Sequence, residues 1–503
     1  REKLIPKRAI LPYFLQVKQN NDELWQSWNV TPELEERFIR SVRMKPRRTA
    51  SGVATITVIT RPHTCSSNCI YCPCDLRMPK SYLANEPACQ RAELTFFDPY
   101  VQVAARLQAL HQMGHSTDKV ELIVLGGTWS DYPESYQYWF IKELFRALNE
   151  WPNSPSHIQE RLNWYTSFGL QNSEEALSSF VAEQQAAVFD DTATYNQAFH
   201  KLYDTSQPHQ NAWSQMQSTY DELVEQQHVN ETAAARVVGL VIETRPDTIT
   251  PDNLRMFRQL GCTKIQIGIQ STRQEILDAN KRQMSAAQIK RAFSLIRLYG
   301  FKIHSHLMVN LLGATSEADK QDFKTFVTDP GFLPDEIKLY PCALVSGTQL
   351  VQKYREGAWQ PYAKDELVDV LVQDVLNTPP YVRISRMIRD ISATDILVGN
   401  KHTNLRQMVE QELAAEDVAR RVQEIRFREI NQQQVRAAEL TLQDFTYTTA
   451  VSDEHFLQWV TADNKIAGFC RLSLPHWNKL TSGACDVSAD ELLVQPGQAM
   501  IRE

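Results

Sequence analysis

Six apolar, β-rich runs recur along this chain and constrain its fold more than any other feature. They are Gly52–Thr60, Val120–Gly126, Val237–Glu243, Thr263–Ile269, Lys302–Asn310 and Glu336–Leu344. Stretches with apolar residues at helical spacing lie between most of them, such as Pro99–Met113, Glu134–Trp151, Pro251–Leu260 and Ala286–Tyr299. Strands that alternate with helices form a parallel sheet with crossover helices. The expected class is α/β, and six such units suit an open, partial (β/α)6 barrel. In barrels the chemistry sits at the C-terminal ends of the strands.

The first strand is followed at once by Cys65-Ser-Ser-Asn-Cys69-Ile-Tyr-Cys72, a CxxxCxxC run. Three thiolates on a short loop can hold three irons of a 4Fe–4S cube and leave the fourth iron open to a small molecule. A structural zinc is the competing reading. Zinc takes four ligands, usually from two paired knuckles. No partner knuckle is visible, although Cys74 or Cys89 could supply a fourth sulfur. The spacing, with aromatic Tyr71 before the third cysteine, resembles the signature of the radical-SAM superfamily. There the open iron binds S-adenosylmethionine (SAM).

Such a site must also hold the methionine end and the ribose of SAM and place a substrate. The second strand ends in Leu125-Gly126-Gly127-Thr128, and paired glycines let a backbone approach a ligand closely. In the superfamily this place binds the SAM amino group. The third strand ends in Glu243-Thr-Arg245-Pro-Asp247, where a carboxylate can accept from ribose hydroxyls and an arginine can pair with a carboxylate. The fourth ends in Gly268-Ile-Gln270-Ser271, whose last two residues offer hydrogen bonds. His304 and His306 share one face of the fifth strand, and Lys338 and Tyr340 one face of the sixth. A lysine aimed into a barrel is costly unless paired or bound to an anion. Lys338, Tyr340 and His306 are the catalytic candidates. Arg383, Arg386, Arg389 and Asp390 follow, as phosphate contacts or as ion pairs capping the barrel.

The rest of the chain divides by composition. Residues 1–50 read as a helical segment ending in the basic run Arg43-Met-Lys45-Pro-Arg47-Arg48; residues 1–48 carry a net charge of +5. Residues 51–395 are the barrel. Within them, residues 152–235 lack strand signal and read as an acidic helical insertion, expected to be a solvated surface appendage. Residues 151–235 carry a net of −9 against −7 for all 503 residues, so basic patches remain elsewhere despite the acidic total. Residues 396–440 read as a charged helical linker, and residues 441–503 turn to β character. In that last part Phe456–Val460 and Lys465–Leu472 face each other across Thr461-Ala-Asp-Asn464, a hairpin signal. No apolar run approaches the ~20 residues of a membrane span. No signal peptide opens the chain, and nine cysteines without a pairing pattern suit a reducing, cytoplasmic setting. Opening at Arg1 rather than Met, the chain is expected to be a processed or partial form.

Ordered along the chain, these runs resemble one family: the catalytic subunit of the Elongator complex and its stand-alone homologues, enzymes that modify the tRNA wobble uridine. The matching runs include Lys45-Pro-Arg47-Arg48-Thr-Ala-Ser-Gly52, the cysteine loop, Asp98-Pro-Tyr100, Val124-Leu-Gly126-Gly127-Thr128, Ile242-Glu243-Thr-Arg245-Pro-Asp247, Ile267-Gly268-Ile-Gln270-Ser271, Lys338-Leu-Tyr340-Pro341 and Arg389-Asp390-Ile391. The resemblance covers roughly residues 40–150 and 236–503.

The resemblance implies a radical-SAM domain followed by a domain of the GNAT acetyltransferase fold. The implied cofactors are a 4Fe–4S cluster on Cys65, Cys69 and Cys72, SAM, and acetyl-CoA. SAM would be held by Gly126, Gly127, Thr128, Glu243, Arg245, Gln270 and Ser271. The implied reaction puts a carboxymethyl group on carbon 5 of the wobble uridine, through a 5′-deoxyadenosyl radical that takes hydrogen from an acetyl group. The implied partner is a tRNA anticodon stem-loop, met by Lys45, Arg47, Arg48, Arg383, Arg386 and Arg389, with other Elongator-type subunits or a second copy of the chain beside it and no membrane. The reactive base must be splayed from its stack to reach a barrel site.

Two departures follow. Val422-Gln-Glu424-Ile-Arg-Phe427-Arg-Glu429 stands where some bacterial homologues carry a cysteine-rich zinc motif, so no zinc is expected there. The pyrophosphate loop of a GNAT-like α+β domain is expected after a strand beginning near Ile501, which leaves that domain incomplete. Two alternatives stay open: a non-catalytic tRNA-binding or assembly subunit with a structural cluster, and a radical-SAM enzyme of another substrate.

Overall fold

The computed structural model describes residues 5–431, 433–482, 487 and 492–503. The first four residues of the basic N-terminal segment and residues 483–486 and 488–491 of the C-terminal segment lie outside the described residues. All six expected strands form: β1 (Ala54–Ile59), β2 (Lys119–Leu125), β3 (Arg236–Thr244), β4 (Lys264–Gln270), β5 (Lys302–Val309) and β6 (Glu336–Pro341). The sixth run is shorter than expected. Pro341 ends it, since proline has no amide to continue a ladder. The chain then turns into a two-residue strand, β7 (Leu344–Val345).

A further barrel strand, β8 (Arg383–Arg386), adds parallel to β6 and corrects the count from six to seven. Its sequence, Arg-Ile-Ser-Arg, buries only Ile384 and so carries almost no apolar signal. The sheet runs β1-β2-β3-β4-β5-β6-β8, every pair parallel, as a curled half-barrel. Its outward face is apolar. Ile265, Ile267 and Ile269 of β4 alternate with Lys264, Gln266, Gly268 and Gln270, and all three isoleucines are fully buried in the core under the helices.

Residues 152–235 are helical as expected, in Ile158–Ser167, Glu174–Phe189, Tyr195–Phe199, a π-turn over His200–Asp204, Gln207–Trp213 and Tyr220–Asn230. Local caps set their starts. Thr194 with Gln197 and Thr219 with Glu222 form capping boxes, and the Ser173 hydroxyl accepts from the Ala176 amide.

The linker departs from expectation. Among its described residues only Leu405–Glu412 and the single turn Glu416–Ala419 are α-helical; β9 (Ile396–Val398) pairs antiparallel with β7. Arg428 is buried there and brackets the linker to its surroundings. Its guanidinium donates to the carbonyls of Gln423 and Pro380 (both 2.9 Å) and to Asn464 Oδ1 (3.0 Å).

The expected hairpin is β11 (Ser452–Val460) against β12 (Ile466–Pro475), flanked by β10 (Thr441–Thr448) and β13 (Met500–Ile501) in one antiparallel sheet. Buried ion pairs fasten this sheet to the barrel. Asp335, just before β6, accepts from Arg502 (2.6 and 2.9 Å) and Arg471 (3.3 Å), and Arg502 also reaches Glu454 (2.7 Å). No helix among the described residues is long and apolar enough to cross a membrane.

Candidate functional site

The inward half of the strand alternation is polar, and it lines one cavity of about 2320 Å³. Lys264, Gln266, Gly268 and Gln270 of β4, Lys302, His304, His306 and Met308 of β5, and Glu336, Lys338 and Tyr340 of β6 all face it in step. The register places Gln266 beside His304 and Glu336, and Gly268 beside His306 and Lys338. At the N-terminal end of the strands the rungs are ion-paired. Glu336 meets Lys302 (2.6 Å) and Lys264 (3.6 Å), and Lys264 meets Glu121 (2.9 Å).

Midway up, Lys338 and His306 converge on a residue that sequence reasoning missed. The Lys338 ammonium donates to Gln266 Oε1 at 2.6 Å, and His306 Nε2 lies 3.2 Å from the same oxygen. Gln266 was findable, because it falls on the inward beat of β4 between isoleucines. Tyr340 stands beside them, its ring 5.9 Å from that of His306. Burial lowers Lys338 to about 8, Glu243 opposing and Arg386 and Lys264 adding. Burial, with the charge of Lys338, holds His306 far below the usual histidine range, so its ring is neutral near pH 7.

At the C-terminal end of β1 the chain enters the cysteine loop, and Cys65, Cys69 and Cys72 all line the cavity. Two cations that the sequence reading did not single out sit against them. Arg282 donates to Cys69 Sγ at 3.3 Å, with the Ser67 hydroxyl 3.0 Å from the same sulfur. Burial works to raise the Cys69 thiol, but Arg282 and Ser67 outweigh it and bring the thiol below its ordinary value. Cys72, without such a donor, is pushed up to about 12 by burial. Lys80 is only 6% exposed, and its ammonium donates to the Ser67 carbonyl at 2.8 Å. Burial disfavours its charge; Cys72, Cys74, Cys65 and Cys69 more than offset that.

This donor set fits a cluster. Three thiols with two buried cations suit an anionic iron–sulfur group, and protein hydrogen bonds to sulfur are one of the levers on such a group. Among the described residues no three His, Cys, Asp or Glu side chains gather as around one metal ion. A cube asks instead for thiolates spread over three irons. Cys74 donates its thiol to the Cys72 carbonyl at 3.3 Å, and Cys89 is fully buried.

The strand-end residues are placed unequally. Gly127 and Thr128 line the cavity. Gly127 has φ +83°, and a Cβ there would come within 3.1 Å of the Lys80 carbonyl. Gly126 is not on the cavity wall; a Cβ would sit 1.7 Å from Thr60 Oγ1, so glycine is required by packing of β2 against the end of β1. Glu243 accepts from the Tyr82 hydroxyl at 2.5 Å and lies 3.8 Å from His306 Nδ1. Arg245 pairs with Asp247 (2.9 Å) and also donates to Ser66 Oγ (2.9 Å), which ties the third strand end to the cysteine loop. Gln270 faces the cavity, and Gly268 leaves room for its amide, which a Cβ would meet at 2.8 Å. Ser271 does not reach the cavity. It is 1% exposed and donates to Asp322 at 2.5 Å, so it pins the strand end to a helix.

The basic candidates all border the same cavity. Arg383 is paired with Glu429 (2.8 Å), Arg386 with Asp390 (2.5 Å) and Arg389 with Glu86 (3.4 Å). Lys45, Arg47 and Arg48 enter no ion pair among the described residues. Lys45 adopts φ +51°, which turns the chain into a short 3-10 helix (Pro46–Thr49) and presents the run at the rim.

The acidic insertion is not a detached appendage. Its Asn196 bonds both backbone groups of Cys65, the Cys65 amide to Oδ1 (3.1 Å) and Nδ2 to the Cys65 carbonyl (2.9 Å). The correction has a simple cause: its apolar aromatic face covers a loop that has almost no regular structure of its own.

A curled parallel half-barrel with a three-cysteine loop after its first strand defines a radical-SAM protein. Sequence models agree: the Radical SAM superfamily matches residues 212–325 and the Radical_SAM C-terminal domain residues 334–415. Among the similar proteins is the "tRNA uridine(34) acetyltransferase" of Dehalococcoides mccartyi, 33% identical over 434 residues, covering 86% of this chain and 79% of that protein. The protein of the same name from Methanocaldococcus infernus is 34% identical over 75% of this chain and 60% of its own length. Human "Elongator complex protein 3" is 28% identical over 88% of this chain and 71% of its length. A solved structure of the Methanocaldococcus infernus Elp3 with an N-terminal deletion superposes with TM-score 0.61 at 29% identity, over 84% of this chain and 78% of that one. The chain belongs to the family of Elongator complex protein 3 and the tRNA uridine(34) acetyltransferases. It spans 60% of the length of the two Methanocaldococcus relatives.

Proposed function

We propose that this chain carries the radical-SAM half of an enzyme that modifies carbon 5 of the tRNA wobble uridine, building a carboxymethyl group from acetyl-CoA. The observation that carries the reading is that one cavity is lined by the three cysteines, by Lys338, Gln266 and His306, and by the basic rim at Lys45–Arg48. Cys65, Cys69 and Cys72 would hold the cluster, and Gly127, Thr128, Glu243, Arg245 and Gln270 would hold SAM. When bound, this pair supplies reductive cleavage of SAM and a 5′-deoxyadenosyl radical. Glu243, already accepting from Tyr82, keeps one oxygen toward His306 and can accept from ribose hydroxyls. Lys338, held by Gln266 and titrating near 8, can give or take a proton at a carbonyl oxygen of the substrate. Neutral His306 and the Tyr340 hydroxyl orient that substrate without adding charge. Relatives named acetyltransferases support acetyl-CoA as the carbon source. The reading takes the anticodon stem-loop as the partner and the cytoplasm as the setting.

The direct test is nucleoside mass analysis of tRNA after anaerobic incubation of the reconstituted protein with reductant, SAM and acetyl-CoA. A carboxymethyl mass increment on the wobble uridine supports the proposal. Cleaved SAM with unmodified tRNA would point to a different substrate.

The rim separates the basic residues by strength. Arg47 and Arg48 can take phosphates without breaking an ion pair; Arg383, Arg386 and Arg389 must exchange one. Replacing Arg47 and Arg48 together by alanine is expected to weaken tRNA binding about tenfold or more and to lower the salt slope by about 2. Arg383→Ala is expected to change that slope by less than about 1. Binding titrations at several salt concentrations check both.

A further inference from the structure

The cysteine loop runs from the end of β1 to the helix Pro87–Leu94 without a helix or strand. Its shape therefore depends on partners from elsewhere. The barrel supplies some: Asp131 accepts from the Ser66 amide (3.2 Å), and the Asn280 carbonyl accepts from the Ile70 amide (3.3 Å). The insertion supplies a second set.

Two amide side chains of the insertion each grip the loop at two points. Asn196 holds the amide and the carbonyl of Cys65. Gln185 accepts from the Leu76 amide (2.8 Å) and donates to the Cys74 carbonyl (2.9 Å). Tyr195 and Tyr203 donate to the carbonyls of Met78 and Leu76, both at 2.8 Å. Leu76 is fully buried in an apolar cluster whose other buried members all come from the insertion, Phe199 among them. At the loop's entrance the Arg61 guanidinium stacks on the Trp213 ring at 4.0 Å.

The charge of the insertion is segregated from these contacts. All eleven of its acidic side chains are exposed, while the groups that hydrogen-bond to or pack on the loop are uncharged: amides, hydroxyls and apolar side chains. Neutral donors and acceptors order a loop of thiolates without adding negative charge beside them.

We propose that the insertion is a built-in clamp that holds the cysteine loop in its liganding shape before and after the cluster is in place, with Asn196 and Gln185 as positioning residues. The clamp rests on the cluster reading above for its purpose but not for its geometry. Ordering a loop costs conformational entropy. A loop ordered in advance loads its cluster without that cost, and a clamped loop surrenders it slowly.

The test uses the whole chain. Hydrogen exchange followed by mass spectrometry is measured on cluster-free protein, and iron release to a chelator is measured on reconstituted protein. In Asn196→Ala/Gln185→Ala, amides within residues 61–82 are expected to exchange about tenfold faster or more, as loss of several hydrogen bonds requires. Peptides from the insertion's own helices stay within about twofold of wild type. Iron release speeds up about fivefold or more. Glu183→Ala, which removes only a surface pair with Lys201, changes neither quantity. Should the double variant fail to fold, Asn196→Ala alone is read the same way at Cys65. Loop exchange and iron release equal to wild type would overturn the clamp. Reconstituted wild type that binds no iron would instead sink the cluster reading, and the exchange result on cluster-free protein would still decide the clamp.

Discussion

Cys69→Ala is expected to lose essentially all of the absorbance near about 400 nm after anaerobic reconstitution, because a cube held by only two thiolates does not persist. Iron per chain should fall in parallel. Cys74→Ala is the control that separates the two readings of the loop. If the metal were a zinc with Cys74 as its fourth sulfur, that variant would lose metal as completely as Cys69→Ala. The structure engages the Cys74 thiol with the Cys72 carbonyl, so Cys74→Ala is expected to keep its iron. Retained absorbance in Cys69→Ala would remove Cys69 from the ligand set.

Lys338→Met should lower tRNA modification by about 10²–10⁴-fold, the range of a lost acid–base group, while SAM cleavage without coupling survives. Methionine keeps the length of the side chain and removes the charge that Gln266 and Glu243 face. The same residue has a stability signature. Its pKa in the folded chain, about 8, lies below the ordinary lysine value of 10.5. Below pH 8 both folded and unfolded chains carry the proton, and the folded state bears the cost of burying it. Between pH 8 and 10.5 the folded state releases the proton first, the unfolded state binds more protons, and stability rises with pH. Wild type should therefore gain on Lys338→Met across that window, by up to about 3 kcal/mol. Thermal melts of both proteins at pH 7 and 10 check it, since shared titrations cancel in the difference. Parallel curves for the two proteins would mean that Lys338 carries no buried charge.

Six of the seven barrel strands are legible in sequence because their outward residues are apolar and fully buried, as Ile303 and Ile337 are. Arg383–Arg386 is not, because a four-residue strand with one buried side chain leaves no periodic trace. The place of the cysteines, Gly127, Glu243 and Lys338 on the cavity was legible as well, because strand ends and short spacings are local signals. Gln266 followed from the same alternation that exposed the two histidines, once applied to β4. What could not be read was long-range. Asn196 meets Cys65 across 131 residues of sequence, and Arg282 meets Cys69 across 213. For Arg383, Arg386 and Arg389 the sequence leaves phosphate contact and ion pairing open, and only the fold supplies Glu429, Asp390 and Glu86 as partners. The insertion is read as an appendage because net composition reports its outer face, whereas its contacts with the cysteine loop lie on the neutral inner one.

The central claim is that one cavity couples a working radical site to tRNA. Its most direct test is release of 5′-deoxyadenosine by the anaerobically reconstituted protein with reductant and SAM, with and without tRNA. The structure leads us to expect release that tRNA stimulates. An intact cluster with no release in either condition would contradict the account and leave a tRNA-binding subunit with a structural cluster.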